Sequence, residues 1–212
     1  GVRCRVVAYH DHNEEHCLRL LINELLQGKR VALLSDAGTP LISDPGYRLV
    51  RELRAAGIVI SPIPGPCAAI AALSVAGIAS DRFSFEGFLP HKASARRERL
   101  QGLAGESRTL VFYESSHRIE ECLADMRAAF GEDREAVLAR EISKLFETVL
   151  DGTLASIAET VAADPNQRKG EFVLVIAGEP EDENAALREG RRLYAKLIEV
   201  LKPSQAAKIA AD

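Results

Sequence analysis

Two segments of the chain combine small, cyclic and acidic residues at points where an apolar run gives way to a helix-like run. Ser35–Gly46 reads SDAGTPLISDPG and follows the strand-like run Val31–Leu34, and Pro62–Ala69 reads PIPGPCAA. Ligands in open α/β sheets bind beyond the carboxyl ends of strands, and amide groups at a helix start can receive an anion or a carboxylate. Because the first loop is longer than a strand-to-helix turn requires, we expect both loops to line one ligand crevice. For the second loop a rigid corner is an equal alternative.

Titratable side chains follow two later apolar runs. The segments are Tyr113–Arg118, YESSHR, and Ala139–Thr148, AREISKLFET. Their mixed charges suit a general acid–base set and equally suit a surface ion network. Ser115 or Ser116 is expected to cap the next helix. The absence of a G-x-S-x-G elbow argues against a serine hydrolase.

One histidine-rich segment raises the question of a metal site. His10–His16 contains the spacing H-x-x-E-H, an inverted zinc-protease pattern. On a helix, His12 and His16 lie about 120° and 160° away from the leucine face. This phase favours a solvated helix start, so we predict no metal site.

A basic segment stands out in an otherwise acidic chain. His91–Arg99 has four basic side chains against one acid, namely Lys92, Arg96, Arg97 and Arg99. The segment is interpreted either as a patch that contacts phosphates or as a solvated helix face.

Composition excludes several classes of protein. The 212 residues are 47% apolar and 27% charged with a net charge of −4, which excludes a disordered chain and a general polyanion binder. The four cysteines are scattered and form no C-x-x-C pair, as is typical of reduced thiols, so a cytoplasmic location is expected. The longest apolar run, Cys67–Ala79, is too short to span a bilayer, so no membrane partner is predicted. Neither a P-loop nor G-x-G-x-x-G is present, which argues against Walker-type nucleotide use.

Alternating strand-like and helix-like runs must position these segments, and they predict α/β layers. The predicted strands are Arg3–Tyr9, Val31–Ser35, Ile58–Ile63, Phe83–Phe88, Thr109–Tyr113, Ala136–Arg140 and Phe172–Ala177. The predicted helices are Asn13–Gln27, Pro45–Ala56, Gly65–Ala76, Ser116–Phe130, Ala185–Leu201 and Ser204–Ala211. Gly65–Ala76 consists almost wholly of small apolar residues, so it is expected to be buried or packed close to another backbone. A seam near Ile78–Asp81 predicts two halves, 1–80 and 81–180, and a helical tail, 181–212.

These segments, in this order, resemble one family. LLSDAGTPLISDPG, PIPGPCAAIAAL, FSFEGFLPHK, LVFYESSHRI, AREISKLFETV and GEFVLVIAGE are similar to the 16S ribosomal RNA 2′-O-methyltransferase branch of the tetrapyrrole methylase superfamily. The resemblance implies two αβα domains with the ligand cleft between them, S-adenosylmethionine as methyl donor, and a homodimer. It also implies a cytidine ribose of 16S ribosomal RNA in the small ribosomal subunit as substrate. The family's first strand and its T-P-I-G-N-L-G-D loop do not occur here, and compared with the family the tail stops early at Asp212, so the chain is expected to be truncated at both ends.

The resemblance also assigns methyl-donor contacts by position in the motifs. These are Asp36, Ala37, Gly38, Thr39, Ile42, Cys67, Ala68, Tyr113, Glu114, Ala139, Arg140, Glu171 and Phe172. Thr39 stands where tetrapyrrole methylases carry an acid, and this difference argues against a porphyrin-like substrate.

Strand-end positions suggest which groups assist the reaction. A ribose hydroxyl is a poor nucleophile and is helped by a base or a polarising group. Our candidates are Glu114, His117, Glu141 and Lys144, while Lys92, Arg96, Arg97 and Arg99 would hold phosphates. Two alternatives stay open at this point, a small-molecule methyltransferase of tetrapyrrole type and a non-catalytic RNA-binding fragment.

Overall fold

The order of helices and strands comes from a computed structural model, which describes residues 4–10, 13–180, 193–198 and 201–211. The elements are α1 (Glu14–Leu26), α2 (Tyr47–Ala55), α3 (Ala68–Val75), β1 (Phe83–Phe88), α4 (Ala93–Leu103), β2 (Thr109–Ser115), α5 (Ile119–Phe130), β3 (Glu135–Arg140), β4 (Thr148–Thr153), α6 (Leu154–Ala163), a 3-10 turn (Pro165–Arg168) and β5 (Glu171–Ile176). Residues 193–197 are helical, and a last helix spans Pro203–Ala211.

The five strands form one sheet in the order β1-β2-β5-β3-β4. β1 pairs with β2 in parallel, and the other three pairs are antiparallel. The strands β1, β2 and β3 therefore end at the edge where β4 and β5 begin. We call this the charged edge and define it by Phe88, Ser115, Arg140, Thr148 and Glu171.

The two faces of the sheet carry separate apolar clusters. Residues such as Phe112 and Leu174 pack under α4, α5 and α6 on one face. Val111 and Val173 lie on the other face and contact α3. Side chains of successive strand residues point to opposite faces, so each face receives every second residue of β2, β3 and β5.

The helix predicted over Gly65–Ala76 is confirmed as the shorter α3, which lies directly on the sheet. Ala69 and Ala72 are buried, with 3% and 0% exposure. Small side chains at these positions let the helix backbone approach the strands closely, as the composition of this run predicted.

Strand predictions are confirmed in the second half of the chain and wrong in the first. β1, β2, β3 and β5 match the predicted runs within two residues, but no strand forms among residues 4–10 and 13–80. The apolar side chains there are exposed, as at Val6, Leu34 and Val59. A strand requires a hydrogen-bonded neighbour, and these extended segments have none in the described part of the chain.

Two helix starts differ from the prediction in detail. Arg118, and neither Ser115 nor Ser116, is the N-cap residue of α5, and the Ser115 hydroxyl donates to the Glu114 carboxylate at 3.3 Å. Asn13 precedes α1 as predicted, but its side chain bonds the backbone of Ala8 and His10 and caps no helix amide.

The remaining helix predictions have mixed outcomes. α1, α2 and the last helix confirm their predicted runs. Of the run predicted over Ala185–Leu201, residues 185–192 and 199–200 lie outside the described residues. The division into halves at residue 80 stays a prediction.

Candidate active site

The first predicted loop is held by its own side chains. The Ser35 hydroxyl donates to the Asp44 carboxylate, and its oxygen accepts from the Ala37 amide at 3.2 Å. Leu41 and Ser43 adopt positive φ angles of 73° and 58°. Non-glycine residues in this region are unfavourable and concentrate at functional sites. The loop thus has a fixed shape that the sequence would not adopt by local preference.

The two predicted loops touch each other. The Thr39 hydroxyl donates to the Pro66 carbonyl oxygen at 2.8 Å. Gly38 lies beside this contact with φ of +80°, and a Cβ built on it would lie 3.9 Å from the same oxygen. Glycine is needed at position 38 because of the positive φ angle, and not because a side chain would lack space. This contact brings the two loops together, and the ligand crevice expected between them stays a prediction.

Tyr113 joins the second loop to the sheet. Its hydroxyl accepts a hydrogen bond from the Ala69 amide in the first turn of α3 at 3.1 Å, and it lies 3.9 Å from the Cys67 sulfur. Burial raises the pKa of Tyr113 to about 12, so the hydroxyl stays protonated at neutral pH. Three of the predicted contacts, Cys67, Ala68 and Tyr113, therefore come together.

Aromatic residues of β1 complete this cluster, and the sequence analysis missed them. The Phe85 and Phe88 rings meet the Tyr113 ring edge-on, with centroids 4.9 Å and 5.7 Å away. A Cβ on Gly87 would lie 3.2 Å from the Ser43 hydroxyl oxygen, so β1 also approaches the first loop. The aromatic-rich run FSFEGF was the available signal.

The remaining predicted methyl-donor contacts divide between the two faces of the sheet. Ala139 pairs with Val173, which pairs with Tyr113, so these residues form one row on the α3 face. Arg140 and Phe172 belong to the next row and point to the opposite face. Arg140 is buried there and donates to the Lys169 carbonyl at 3.2 Å and the Thr148 hydroxyl at 3.1 Å.

Glu114 also points away from α3. Its buried carboxylate lies 3.3 Å from an Arg118 guanidinium nitrogen. Arg118 in turn donates to the carbonyl oxygens of Leu89 and Pro90 at 2.9 Å and 3.1 Å. The structure therefore separates the side chain of Glu114 from the Tyr113 cluster, and we do not carry its role as a base further.

Glu141, Lys144 and Glu171 form an ion-pair group at the charged edge. The Lys144 ammonium lies 2.8 Å from the Glu141 carboxylate and 2.9 Å from that of Glu171. The ammonium of Lys144 and the Glu171 amide lower the pKa of Glu141. The carboxylates of Glu141 and Glu171 raise the pKa of Lys144. Both shifts move these groups away from titration near neutral pH.

The predicted phosphate-contacting set is wrong at Arg96. This side chain is buried and donates to Asp125 at 2.6 Å and Glu121 at 3.1 Å, because position 96 shares the inward face of α4 with Leu100. Arg99 lies 2.5 Å from Glu86. Lys92, Arg97 and Arg99 are exposed, and Arg97 has the longer ion pair, 3.8 Å from Asp125.

Two histidines of the predicted segments, His16 and His117, are exposed. A third, His12, lies outside the described residues. Across the described ranges, no group of three His, Cys, Asp or Glu side chains is placed to hold a metal ion. No helix in those same ranges is long and apolar enough to cross a membrane. Asp36, Ala37 and Ile42 lie exposed in the first loop.

Comparison with known proteins yields one consistent family. The sequence pattern of the Tetrapyrrole (Corrin/Porphyrin) Methylases matches residues 5–158. The chain is 58% identical over 212 residues to "Ribosomal RNA small subunit methyltransferase I" of Xylella fastidiosa (strain Temecula1), covering 100% of this chain and 78% of that protein. The protein of the same name from Pseudomonas aeruginosa is 52% identical, with 100% and 76% covered.

Solved structures share the fold at low sequence identity. The uroporphyrin-III C-methyl transferase from Thermus thermophilus, complexed with S-adenosyl homocysteine, matches with a TM-score of 0.53 and 19% identity, covering 81% of this chain and 76% of that one. Cobalt precorrin-4 methyltransferase matches with a TM-score of 0.55 and 18% identity, covering 77% and 70%.

Proposed function

The chain belongs to the tetrapyrrole (corrin/porphyrin) methylase family, and we propose that it transfers a methyl group from S-adenosylmethionine to the ribose 2′-hydroxyl of a cytidine in 16S ribosomal RNA. The observation that carries the proposal is the meeting of both loops with Tyr113, through the Thr39–Pro66 and Ala69–Tyr113 hydrogen bonds. The names of the relatives, which specify the small-subunit ribosomal RNA, support the substrate.

The residues at this meeting point fit the chemistry of the methyl donor. The amino-acid part of S-adenosylmethionine carries an ammonium and a carboxylate. The exposed carboxylate of Asp36 suits the ammonium, and the first turn of α3 at Cys67 and Ala68 suits the carboxylate. When bound, S-adenosylmethionine supplies an electrophilic methyl group on a sulfonium.

The chain's own contribution is to orient the acceptor and to take its proton. Displacement at a methyl group needs the ribose oxygen held in line and water excluded. The exposed Phe88 ring and the half-buried cluster at Tyr113 serve this positioning. Donor contacts at Ala139, Arg140, Glu171 and Phe172 would come from the strand backbone at the charged edge.

Among the four candidate bases, His117 is the one we retain for proton transfer. Histidine is the side chain most often used for general acid–base proton transfer. Glu141 and Lys144 are paired with each other, and their pKa shifts oppose proton uptake or release near neutrality. His117 lies in the turn that follows β2 and is exposed.

Substitution tests the role of His117 directly. His117→Ala is expected to lower kcat by about a hundredfold or more, the usual contribution of a positioned base, and to leave binding of S-adenosylmethionine unchanged. His16→Ala, at another exposed histidine, is the matched control. A kcat within twofold of the unaltered chain would remove His117 from the mechanism.

A small-molecule methyltransferase of tetrapyrrole type is the second candidate, favoured by the names of the structural neighbours. The deciding experiment offers labelled S-adenosylmethionine with either small ribosomal subunits or uroporphyrinogen, followed by mass mapping of the RNA. Methyl on a cytidine ribose supports the proposal. Methylation of uroporphyrinogen alone, or of an RNA base, would overturn it. Binding of RNA without binding of S-adenosylmethionine would instead indicate a non-catalytic RNA-binding fragment.

A further inference from the structure

The loop between β3 and β4, residues Glu141–Glu147, presents two large apolar side chains to solvent. Leu145 is 90% exposed and Phe146 is 67% exposed. A folded chain gains nothing from an exposed aromatic ring at the tip of a loop. The pair therefore calls for an explanation outside the packing of the described residues.

This loop has a fixed backbone. The Lys144 amide donates to the Glu141 carbonyl at 2.9 Å, the Glu147 amide to the Lys144 carbonyl at 3.2 Å, and the Ser143 amide to the Glu147 carboxylate at 2.5 Å. Glu141 and Ser143 both have positive φ angles, 51° and 64°. Two non-glycine residues keep such angles only where surrounding contacts enforce them. The fixed backbone of this loop therefore keeps the Phe146 ring in a solvent-exposed position.

The loop lies at the charged edge, beside the proposed reaction site. The Glu141 amide donates to the Glu171 carbonyl at 2.9 Å, which continues the pairing of β3 with β5. The positive charge of Lys144 is taken up by Glu141 and Glu171. The tip therefore offers an apolar surface to a ligand and little free positive charge to a phosphate.

We propose that Phe146 is a stacking platform for one unpaired base of the RNA substrate, with Leu145 packing beside that base. The inference rests on the proposed function and adds a substrate contact to it. Proteins that read single-stranded RNA stack splayed bases on aromatic side chains, and stacking needs no charge from the loop. The flat face of one base matches one exposed ring in size.

A second protein chain fits this tip less well. An aromatic side chain buries at most about 250 Å², and a stable protein interface buries at least about 1,200 Å². Two side chains on one loop fall far short of that area. A single base, in contrast, needs only one aromatic ring to stack on and one neighbouring aliphatic side chain to contact.

The chain contains no tryptophan, so Phe146→Trp places a single fluorescent reporter at the proposed contact. Small ribosomal subunits and oligocytidylate are the probes. We expect both to quench the fluorescence of this variant. Phe83→Trp, at the opposite end of β1 and 39% exposed, is the matched control and is expected to respond to neither.

Kinetics give a second, independent readout. Phe146→Ala is expected to raise KM for small ribosomal subunits about tenfold, as loss of one stacked base implies. The affinity for S-adenosylmethionine should not change, and Phe146→Trp should restore KM. Unquenched Phe146→Trp together with an unchanged KM for Phe146→Ala would overturn the inference.

Two further outcomes separate this inference from its rivals. If Phe146→Ala instead lowers the molar mass of the protein in solution, the tip contacts a second copy and the inference is overturned. If the unaltered chain methylates no ribosomal RNA while Phe146→Trp is still quenched by it, the proposed function fails and the base contact stands.

Discussion

The Tyr113 hydroxyl accepts a hydrogen bond from the backbone amide of Ala69, which belongs to the first turn of α3. Tyr113→Phe leaves that amide without its partner, at a cost of about 1 kcal/mol in unfolding free energy. We expect the affinity for S-adenosylmethionine to fall several-fold, because the helix start that we propose for its carboxylate is no longer fixed. Calorimetry and urea denaturation measure the two effects.

Tyr47 supplies the control for this change. It is 66% exposed at the start of α2, so Tyr47→Phe removes a hydroxyl without touching the cluster. Equal affinities for S-adenosylmethionine in both variants would show that the Tyr113 hydroxyl does not position the site.

Arg96 is a structural residue within the basic segment His91–Arg99. Its side chain is 3% exposed and is paired with Asp125, which is 13% exposed. Arg96→Ala is expected to lower the unfolding free energy by about 3 kcal/mol, because the largely buried Asp125 carboxylate then keeps only the longer 3.8 Å contact with Arg97. The adjacent Arg97→Ala removes a side chain that is 57% exposed and should cost less than about 1 kcal/mol. Similar denaturation midpoints for the two variants would contradict this assignment.

The ion-pair group of Glu141, Lys144 and Glu171 makes a pH-dependent contribution to stability. The pKa of Glu141 is lowered below its usual 4.5, so its stabilising effect is present above that pH and lost as the pH falls through the folded-state value. The pKa of Lys144 is raised above 10.5, so its effect persists through neutral pH and is lost only at higher, alkaline pH.

Stability curves for Glu141→Gln test this pH dependence. The difference in unfolding free energy from the unaltered chain should be constant between about pH 6 and 9 and should shrink below about pH 4.5. A difference that stays the same down to the acid range would show that the carboxylate charge of Glu141 contributes nothing.

Among the elements, predictability follows the range of the interactions involved. The runs that became β1, β2, β3 and β5 are predictable because they are apolar and lie between turn residues. β4 and α6 were missed, and α4 was foreseen only as one interpretation of the basic segment. The segment Thr148–Thr153, TVLDGT, has little apolar character. It forms a strand because it pairs with β3. The segments near Val6, Leu34 and Val59 show the reverse case, since a β-like sequence forms no strand without a partner.

The residues of the candidate site also differ in how far they could be predicted from the sequence. The loops at Thr39 and Pro66 could be identified from composition alone, but their hydrogen bond joins residues 27 positions apart, which no local pattern predicts. The inward position of Arg96 was predictable, because it shares the helical spacing i, i+4 with Leu100. Strand alternation predicts the sheet face to which the Glu114 side chain points only once the buried neighbours of Glu114 in β2 are known.

The packing of α3 on the sheet gives a prediction at this scale. Ala72 is fully buried between helix and strands, so Ala72→Leu should destabilise the fold by about 1–3 kcal/mol through overpacking. Ala124→Leu adds the same side chain at an exposed position of α5 and should change stability by about 0.5 kcal/mol or less. Equal thermal midpoints for both variants would mean that α3 does not pack as described.

For the molecule as a whole, a net charge of −4 confines any phosphate contact to a small region. With Arg96 buried and Arg99 only 2.5 Å from Glu86, Lys92 and Arg97 are the exposed basic side chains of that segment that lack so short an ion pair, since Arg97 lies 3.8 Å from Asp125. Replacing both with Glu should weaken RNA binding and reduce the slope of log affinity against log salt by about one per lost phosphate contact. Affinity for S-adenosylmethionine should not change, and an unaltered salt slope would place the RNA elsewhere.

The contacts of Arg118 have a consequence for how a substrate is chosen. This side chain ties the segment before α4 to the end of β2, through the carbonyl oxygens of Leu89 and Pro90 and the carboxylate of Glu114. The same strand carries Tyr113, so the basic side chains of α4 and the proposed methyl-donor loops keep a constant separation. Under the proposed function, an RNA would then be selected by the distance between its phosphates and its reacting hydroxyl, a property of its folded shape that nucleotides of identical sequence in another fold would not share.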